Sequence, residues 1–173
     1  KKRGMPLLSG LKISTIMETA TFNTPLGIAT ITGDENGIAS ISIADQGELS
    51  TEIPIVLQKA ITQLNEYFNK TRTNFTFKLN PKGTDFQQKV WKGLLEIPYG
   101  KTMSYLELSK KLGDVKAIRA VASANGKNPL WIVVPCHRVI GSDGSLTGYA
   151  GGLWRKKWLL EHEGVLIQQE LFS

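Results

Sequence analysis

Short apolar runs separated by turn residues fill the first half of the chain. Residues 13–21, 27–32 and 37–43 are rich in Ile, Thr and Ala, and residues that favour turns lie between them. This spacing is typical of β-strands joined by tight turns, so we expect an antiparallel meander. Residues 55–68 place apolar side chains at helical spacing, which predicts an amphipathic helix. Residues 74–79 alternate once more and favour a further short strand.

The pattern changes at Pro81-Lys82-Gly83-Thr84, a group of turn residues after which helical spacing dominates. We therefore expect a domain boundary here. An α/β domain would cover residues 1–80, and a mostly α-helical domain would cover residues 81–173.

Three short helices are expected after this boundary. The first begins near Thr84. The second begins at Ser104, and Glu107 completes a capping box three residues later. The third covers about residues 115–124. Because a tight glycine turn joins the last two helices, they form a helix-turn-helix pattern.

The last third of the chain surrounds the only cysteine. Residues 131–134 form a continuous apolar run, which predicts a buried strand that ends at Pro135. Residues 141–152 are rich in glycine and predict a loop. Apolar spacing predicts a final amphipathic helix over residues 153–162.

Composition indicates a soluble protein with a real core. Of the 173 residues, 41% are hydrophobic and 21% are charged. No apolar run approaches the roughly 20 residues that cross a bilayer. The apolar stretch near the N-terminus is interrupted by Ser9, Gly10 and Lys12, so we expect no secretory signal and no membrane partner.

Positive charge is concentrated in the second half. The chain has a net charge of +6, and residues 101–157 carry ten basic and three acidic side chains. Such a concentration is the electrostatic footprint of a polyanion partner such as nucleic acid. The alternative at this point is a merely basic, soluble protein.

The lone cysteine, Cys136, excludes an intramolecular disulfide and fits a reducing compartment, the cytoplasm or, in a eukaryote, the nucleus. One cysteine with two histidines also argues against a structural zinc site. In Pro135-Cys136-His137-Arg138-Val139 the thiol stands beside an imidazole and a guanidinium. Positive charge favours the thiolate, which is the nucleophilic form. The alternative is a buried cysteine that acts as a small hydrophobic residue.

Seven segments between residues 84 and 165 carry a specific signal when they are taken together. They are Ile97-Pro98-Tyr99-Gly100, Ser104-Tyr105, Arg119-Ala120-Val121, Asn128-Pro129, Pro135-Cys136-His137-Arg138-Val139, Tyr149-Ala150-Gly151-Gly152 and Trp158-Leu159-Leu160-Glu161-His162-Glu163-Gly164. In this order they resemble the O6-alkylguanine-DNA alkyltransferases, also called methylated-DNA–protein-cysteine methyltransferases. The resemblance implies a small α/β N-terminal domain, RNase H-like with an antiparallel sheet and a helix. It also implies a mostly α-helical C-terminal domain with a winged-helix-like helix-turn-helix.

The resemblance implies a direct-reversal repair reaction on double-stranded DNA. A flipped guanine alkylated on O6 enters a pocket, and its alkyl group moves irreversibly to Cys136; O4-alkylthymine is a second implied substrate. A soft sulfur nucleophile suits displacement at a saturated carbon. Because the thioether is not hydrolysed at neutral pH, each molecule acts once. No cofactor, metal or obligate protein partner is implied, and we expect a monomer.

The resemblance also implies roles for five residues in the transfer. Cys136 is the nucleophile, His137 takes its proton through a water, and Glu163 orients the imidazole. Tyr105 donates to a ring nitrogen of the leaving guanine, and Asn128 ties the recognition helix to the strand that carries the cysteine. The alternatives are a core aromatic for Tyr105, a turn residue for Asn128 and a solvated helix end for Glu163. We expect His162 to be structural.

Binding residues follow from the same resemblance. Arg119 would enter the base stack in place of the flipped nucleotide, and the small residues of its helix would approach the minor groove closely. The alternative is that these small residues allow tight helix packing. The other expected substrate and DNA contacts are Ala120, Ser123, Val139, Ser142, Tyr149, Ala150 and Gly151. Candidate phosphate contacts are Lys101, Lys110, Lys127, Arg155, Lys156 and Lys157.

Two other functions remain to be distinguished from repair. A helix-turn-helix module would recognise damage and recruit other factors without chemistry. Related alkyltransferase-like proteins lack the cysteine, so Cys136 argues against this alternative. A Cys-His hydrolase would need an oxyanion hole and would leave the basic, small-residue helix unexplained.

Overall fold

Three antiparallel strands open the part of the chain that the computed structural model describes, residues 16–165. They are β1 (Glu18–Thr24), β2 (Gly27–Asp34) and β3 (Gly37–Ala44), paired in the order β1-β2-β3. The predicted meander is therefore confirmed. The start of the expected first strand, and the N-terminal stretch considered as a signal, lie outside the described residues.

Helix α1 (Ile55–Phe68) covers this sheet and has the bounds that the sequence predicted. Its apolar spacing turns one face inwards, as the helical period requires. The strands alternate in burial, so every second side chain faces the same core. The buried side chains of this layer include Ala20, Phe22, Ala29, Ile31, Ile41, Leu57, Ala60, Ile61 and Leu64.

The expected strand over residues 74–79 is wrong. Only Leu79 forms a bridge, with Ile38 of β3, and the Ile38 amide donates to Lys78 O at 2.9 Å. The alternation instead reflects aromatic packing, since the rings of Phe75 and Phe77 lie 5.8 Å apart. These side chains cover the core from its edge, and no ladder forms along them.

Helix α2 (Asp85–Leu94) begins at Thr84, whose hydroxyl accepts the Gln87 amide in a capping box. Ser104 and Glu107 form the same motif at the start of α3 (Tyr105–Lys111). Both predicted starts are confirmed.

The third expected helix begins with a 3-10 turn, Val115–Ala117, which Asp114 caps by accepting the Lys116 amide. Helix α4 (Ile118–Gly126) then extends two residues beyond the predicted end. The tight turn between α3 and α4 confirms the helix-turn-helix pattern. A final helix, α5 (Leu153–His162), matches its predicted bounds. Within residues 16–165 no helix is both long and apolar enough to cross a membrane.

The expected strand over residues 131–134 is also wrong, because these residues form a turn. Ile132 has a φ of 73°, a left-handed conformation that a β-branched residue rarely adopts. The Val134 amide donates to Leu130 O at 3.0 Å and closes the turn. An apolar run of four residues is compatible with any buried conformation, so periodicity could not exclude this one.

Strand β3 attaches the sheet to this turn. The Ile41 amide donates to Pro129 O at 2.8 Å, and the Trp131 amide donates to Ile41 O at 3.1 Å. The segment that leads to Cys136 is thereby fixed on the edge of the N-terminal sheet.

Candidate active site

Cys136 begins a 3-10 turn, Cys136–Arg138, which lies between the turn of residues 131–134 and a two-residue strand, β5 (Val139–Ile140). Strand β5 pairs in parallel with β4 (Met103–Ser104), directly before α3. Cys136 therefore lies on a turn, whereas the resemblance implied a strand that carries the cysteine. The thiol is free and only 5% exposed.

Asn128 holds the turn before the cysteine. Its Nδ2 donates to Val134 O at 2.8 Å and to Leu130 O at 3.3 Å, and its Oδ1 accepts the Leu130 amide at 2.9 Å. The residue is buried two positions after the end of α4. Its side chain therefore joins the end of the helix-turn-helix to the segment that carries Cys136. These bonds also explain why residues 131–134 turn rather than extend.

His137 is completely buried and lies 2.8 Å, Nε2 to Oε2, from Glu163. Burial lowers the pKa of His137, so the imidazole is neutral at pH 7. The carboxylate accepts the Nε2 proton, which leaves the lone pair on Nδ1. Among the described residues, Nδ1 has no hydrogen-bond partner. The ring is therefore prepared to accept a proton at Nδ1.

Glu163 follows the last residue of α5 and is buried, so the alternative of a solvated helix end is wrong. Its carboxylate accepts the Tyr67 hydroxyl at 2.6 Å and two nitrogens of Arg138, Nε at 2.7 Å and Nη2 at 3.1 Å. Burial raises the pKa of this carboxyl, but the hydrogen bonds and charges of His137 and Arg138 have a larger effect in the opposite direction. The pKa of Glu163 therefore lies well below its ordinary value. Glu163 is thus ionised at neutral pH.

The Arg138 side chain binds elsewhere and not beside the Cys136 thiol, where the sequence suggested a positive charge. Its guanidinium binds Glu163, and its Nη1 donates to Ile97 O at 2.7 Å. The charge is compensated by the carboxylate, so the expected cationic setting of Cys136 does not come from Arg138.

Lys156 is a buried cation whose charge acts on the sulfur of Cys136. It is 0% exposed, and its Nζ donates to Val139 O at 2.6 Å and to Thr147 O at 2.9 Å. Burial lowers the pKa of Lys156 to about 8. Its expected role as a phosphate contact is therefore wrong. Its position three and four residues before Leu159 and Leu160 put it on the buried face of α5, and that spacing was the available signal.

The thiol form of Cys136 is favoured in the resting protein. Burial raises the pKa of Cys136 to about 11, while the nearby Asn128 amide and the charge of Lys156 act in the opposite direction. Positive charge does lower the pKa of Cys136, as the sequence indicated, but burial of the sulfur has the larger effect. The sulfur therefore needs a base to remove its proton.

The other predicted substrate residues lie on the loop and helix that surround the cysteine. The Tyr105 hydroxyl donates to Thr147 O at 3.3 Å, and its ring centroid lies 5.9 Å from Lys156 Nζ. Tyr149 packs on Trp131 with ring centroids 5.7 Å apart. Burial raises the pKa of both tyrosines, which keeps their hydroxyls protonated. Within the rest of this set, Val139 and Gly151 are buried, and Ala150 and Ser142 are exposed.

The exposed face of helix α4 carries mainly small side chains. Arg119, Ala120 and Ser123 are exposed, whereas Val121 and Ala124 are buried on the opposite side. The buried face packs on α2, where the Trp91 indole donates to Ala124 O at 2.9 Å. Both interpretations of the small residues therefore stay open. Those on the buried face allow close packing against α2, and those on the exposed face leave Arg119 as the long side chain of this surface.

Known proteins share both parts of this architecture. Residues 85–165 match the DNA binding domain of 6-O-methylguanine DNA methyltransferase, and residues 17–81 match its ribonuclease-like domain. The chain belongs to the 6-O-methylguanine DNA methyltransferase family. A methylated-DNA–protein-cysteine methyltransferase of Methanosarcina acetivorans is 44% identical over 155 residues, which cover 86% of this chain and 99% of that protein.

Solved structures of this methyltransferase family agree with the fold. The crystal structure of the Mycobacterium tuberculosis O6-methylguanine methyltransferase has a TM-score of 0.77 at 44% identity, covering 86% of this chain and 93% of its own. Mycobacterium tuberculosis OGT in complex with DNA also has a TM-score of 0.77, at 46% identity, with 84% and 92% covered. The N-terminal ribonuclease-like domain and the helical DNA-binding domain are as the sequence resemblance implied.

Sequence reasoning placed one further residue wrongly on the DNA surface of this methyltransferase. Arg155 is buried, and its guanidinium donates to Leu26 O at 3.0 Å and to Gly151 O at 2.9 Å. It also pairs with Asp45 at 2.6 Å. Arg155 therefore joins the N-terminal sheet to the loop that contains Tyr149.

Proposed function

We propose that this protein repairs alkylated DNA directly by moving the alkyl group from O6 of guanine to the sulfur of Cys136. The observation that carries the proposal is the buried His137–Glu163 pair adjoining the only cysteine in a chain of this family. The carboxylate fixes the Nε2–H tautomer, and the imidazole is left with a free basic nitrogen. A nucleophile, a base and a group that orients the base are the parts of an activated thiol.

The transfer begins when the thiol proton of Cys136 passes through a water to Nδ1 of His137. Glu163 stabilises the imidazolium that forms, and Arg138 holds the carboxylate in place. Lys156 and the Asn128 amide stabilise the thiolate, since both lower the pKa of Cys136. Because burial raises the pKa of Cys136, the thiolate forms only when His137 removes the thiol proton during the reaction.

The sulfur then attacks the alkyl carbon and the bond from that carbon to O6 breaks. The electron pair of that bond goes to the guanine, which takes up one proton from water. His137 gives the proton of the thiol back to water, so the sulfur has exchanged its hydrogen for the alkyl group and the imidazole is neutral again. Tyr105, which remains protonated, donates towards the ring nitrogen where charge develops. The products are normal guanine in DNA and a thioether on the protein. The step balances without a cofactor or a metal, and O4-alkylthymine is a substrate of the same chemistry.

DNA is the partner, and we propose that α4 enters its minor groove. The exposed Ala120 and Ser123 allow close approach of the backbone, and Arg119 fills the stack when the damaged nucleotide is flipped. Val139, Ser142, Tyr149, Ala150 and Gly151 would surround the flipped base. Lys101, Lys110, Lys127 and Lys157 are exposed and remain the candidate phosphate contacts.

We also propose two domains, residues 1–80 and 81–173, that act together as a monomer in the cytoplasm, or in the nucleus of a eukaryote. The single cysteine must remain reduced in order to react, which favours such a compartment. Sedimentation of the protein with and without a short duplex measures the number of chains in the particle, and we expect one chain in the free protein.

Mass spectrometry of the protein after incubation with a duplex that contains one O6-methylguanine tests the main proposal. We expect a gain of one methyl group on Cys136 and no second transfer. Cys136→Ser is the matched control, and we expect no transfer from it because a serine alkoxide is not available at neutral pH. Binding of the duplex without a change of mass would instead support a damage-recognition module. Release of a product without a modified protein would support a hydrolase.

A further inference from the structure

Helix α1 contributes a side chain to the buried network through Tyr67. Its hydroxyl donates to Oε2 of Glu163 at 2.6 Å, although the two residues are 96 positions apart. The same oxygen accepts from His137 Nε2 at 2.8 Å and from Arg138 Nη2 at 3.1 Å. Three donors from two segments, helix α1 and the turn that begins at Cys136, therefore share one carboxylate oxygen.

The surroundings of Tyr67 fix the direction of this hydroxyl. Its ring lies against those of Phe75, Tyr99 and His162, with centroids 5.6, 6.1 and 5.1 Å away. His162 Nε2 lies 2.8 Å from Tyr67 O, which makes His162 a structural support. Burial raises the pKa of Tyr67, so the hydroxyl stays a donor over the working range of pH.

A hydroxyl bound to Glu163 changes what the carboxylate does to His137. A nearby negative charge favours the imidazolium and raises the pKa of a histidine. A hydrogen bond from a third group takes part of the charge of the shared oxygen, so the carboxylate attracts the imidazole proton less. Arg138 alone is enough to keep Glu163 ionised when that hydroxyl is removed, because it forms two hydrogen bonds to the carboxylate.

We infer that Tyr67 is a positioning residue of the transfer reaction: its hydroxyl orients Glu163 and limits the basicity of His137, and so sets the pH above which His137 can accept the thiol proton. The inference rests on the proposed function, because it concerns the base of that reaction. It also makes the ribonuclease-like domain a direct contributor to the chemistry of the other domain.

The experiment compares Tyr67→Phe with Tyr99→Phe. Both remove one hydroxyl from the same aromatic cluster, but the Tyr99 hydroxyl points to His162 O, at 3.4 Å, and not to Glu163. Besides Tyr67 and Tyr99 themselves, the titratable or charged groups around the His137–Glu163 pair are Cys136, Arg138, Tyr149, Lys156 and His162, and neither substitution replaces any of these five. The pKa of His137 is measured on the full chain without DNA, from the imidazole NMR signals across pH.

We expect Tyr67→Phe to raise the pKa of His137 by about half a unit and Tyr99→Phe to leave it unchanged. Alkyl transfer from free O6-benzylguanine should then be about threefold slower on the acidic side of the profile and at least as fast as wild type on the alkaline side. A folded Tyr67→Phe protein with an unchanged His137 pKa overturns the inference. A loss of rate that is equal at every pH also overturns it, because that result indicates a structural role only.

A second replacement keeps the test decisive if Tyr67→Phe does not fold. Site-specific 3-fluorotyrosine at position 67 preserves the packing and strengthens the donor, so we expect the His137 pKa to fall. A rise, or no change, contradicts the inference. The NMR measurement needs no substrate, so it stays informative if the wild-type protein fails to take an alkyl group from DNA. That failure would reject the proposed function separately.

Discussion

The Nζ atom of Lys156 lies 2.6 Å from the backbone oxygen of Val139, three residues after Cys136. The ammonium is completely buried, and two further carbonyls, Thr147 O and Gly148 O, accept from it at 2.9 and 3.3 Å. Because its partners are neutral carbonyls, no carboxylate cancels the positive charge of Lys156, and this charge acts on other groups nearby. Lys156 therefore both closes the loop after the cysteine and supplies the positive charge that the sulfur responds to.

Lys156→Met should slow alkyl transfer by about tenfold at neutral pH, since loss of one nearby charge is expected to raise the pKa of Cys136 by about one unit. The rate of Cys136 alkylation by iodoacetamide across pH measures this change. Lys111→Met is the matched control, because Lys111 is half-exposed and its Nζ lies 2.6 Å from Glu96 Oε2 in a surface pair. Equal rates for the two variants would show that Lys156 does not act on the sulfur.

Glu163→Gln should reduce both the stability of the protein and the dependence of that stability on pH. The folded protein keeps the pKa of Glu163 below its ordinary value of 4.5, so the carboxylate stabilises the fold above about pH 4.5. This stabilisation is lost as the pH falls below that value towards the folded-state pKa. The substitution leaves Arg138 without its anion, and we expect a loss of about 3–5 kcal/mol at pH 7.

Urea unfolding of the wild type and the Glu163→Gln variant between about pH 3 and pH 7 measures this difference. We expect a steeper acid loss in the wild type. Glu161→Gln, two positions away on the exposed side of α5, should leave the free energy of unfolding within about 0.5 kcal/mol. Parallel pH profiles for wild type and Glu163→Gln would mean that Glu163 is not the group that titrates.

Arg155→Met should lower the free energy of unfolding by about 2–4 kcal/mol, because it removes the guanidinium bonds to the Leu26 and Gly151 carbonyls. The loop of Tyr149 loses its attachment to the sheet, so transfer from DNA should slow as well. Asp45→Asn separates the two effects, since the Asp45 side chain is 81% exposed and its ion pair adds little. If Asp45→Asn destabilises as much as Arg155→Met, the carbonyl bonds are not the source of the effect.

Arg119→Ala should slow repair of duplex DNA by at least tenfold and leave attack on free O6-benzylguanine unchanged. Flipping a nucleotide out of a duplex costs a few kcal/mol, and Arg119 is the long exposed side chain available to replace it. Stopped-flow rates on both substrates test this, with Lys59→Ala in α1 as a control for a general change of charge. An equal loss on both substrates would contradict a role in flipping.

Local sequence was sufficient wherever the signal lies within a few residues. The bounds of α1 and α5 follow from apolar spacing, and the starts of α2 and α3 follow from capping residues next to them in the chain. The motif around Cys136 likewise indicated this cysteine and its neighbour His137 as the candidate reactive pair. The helix bounds could be predicted because helix periodicity and capping depend on contacts between residues three or four positions apart.

Tertiary structure alone decided which polar groups are buried together. Tyr67 reaches Glu163 over 96 positions, and Arg138 turns to that carboxylate rather than to the sulfur beside it in sequence. Residues 131–134 became a turn because the side chain of Asn128 binds their backbone. A charge can be buried only where other segments supply its hydrogen-bond partners, and these long-range contacts cannot be predicted from the local sequence. The sequence by itself determined the helices, the three-stranded sheet and the position of the single cysteine; the packing of distant segments determined the environment in which that cysteine lies.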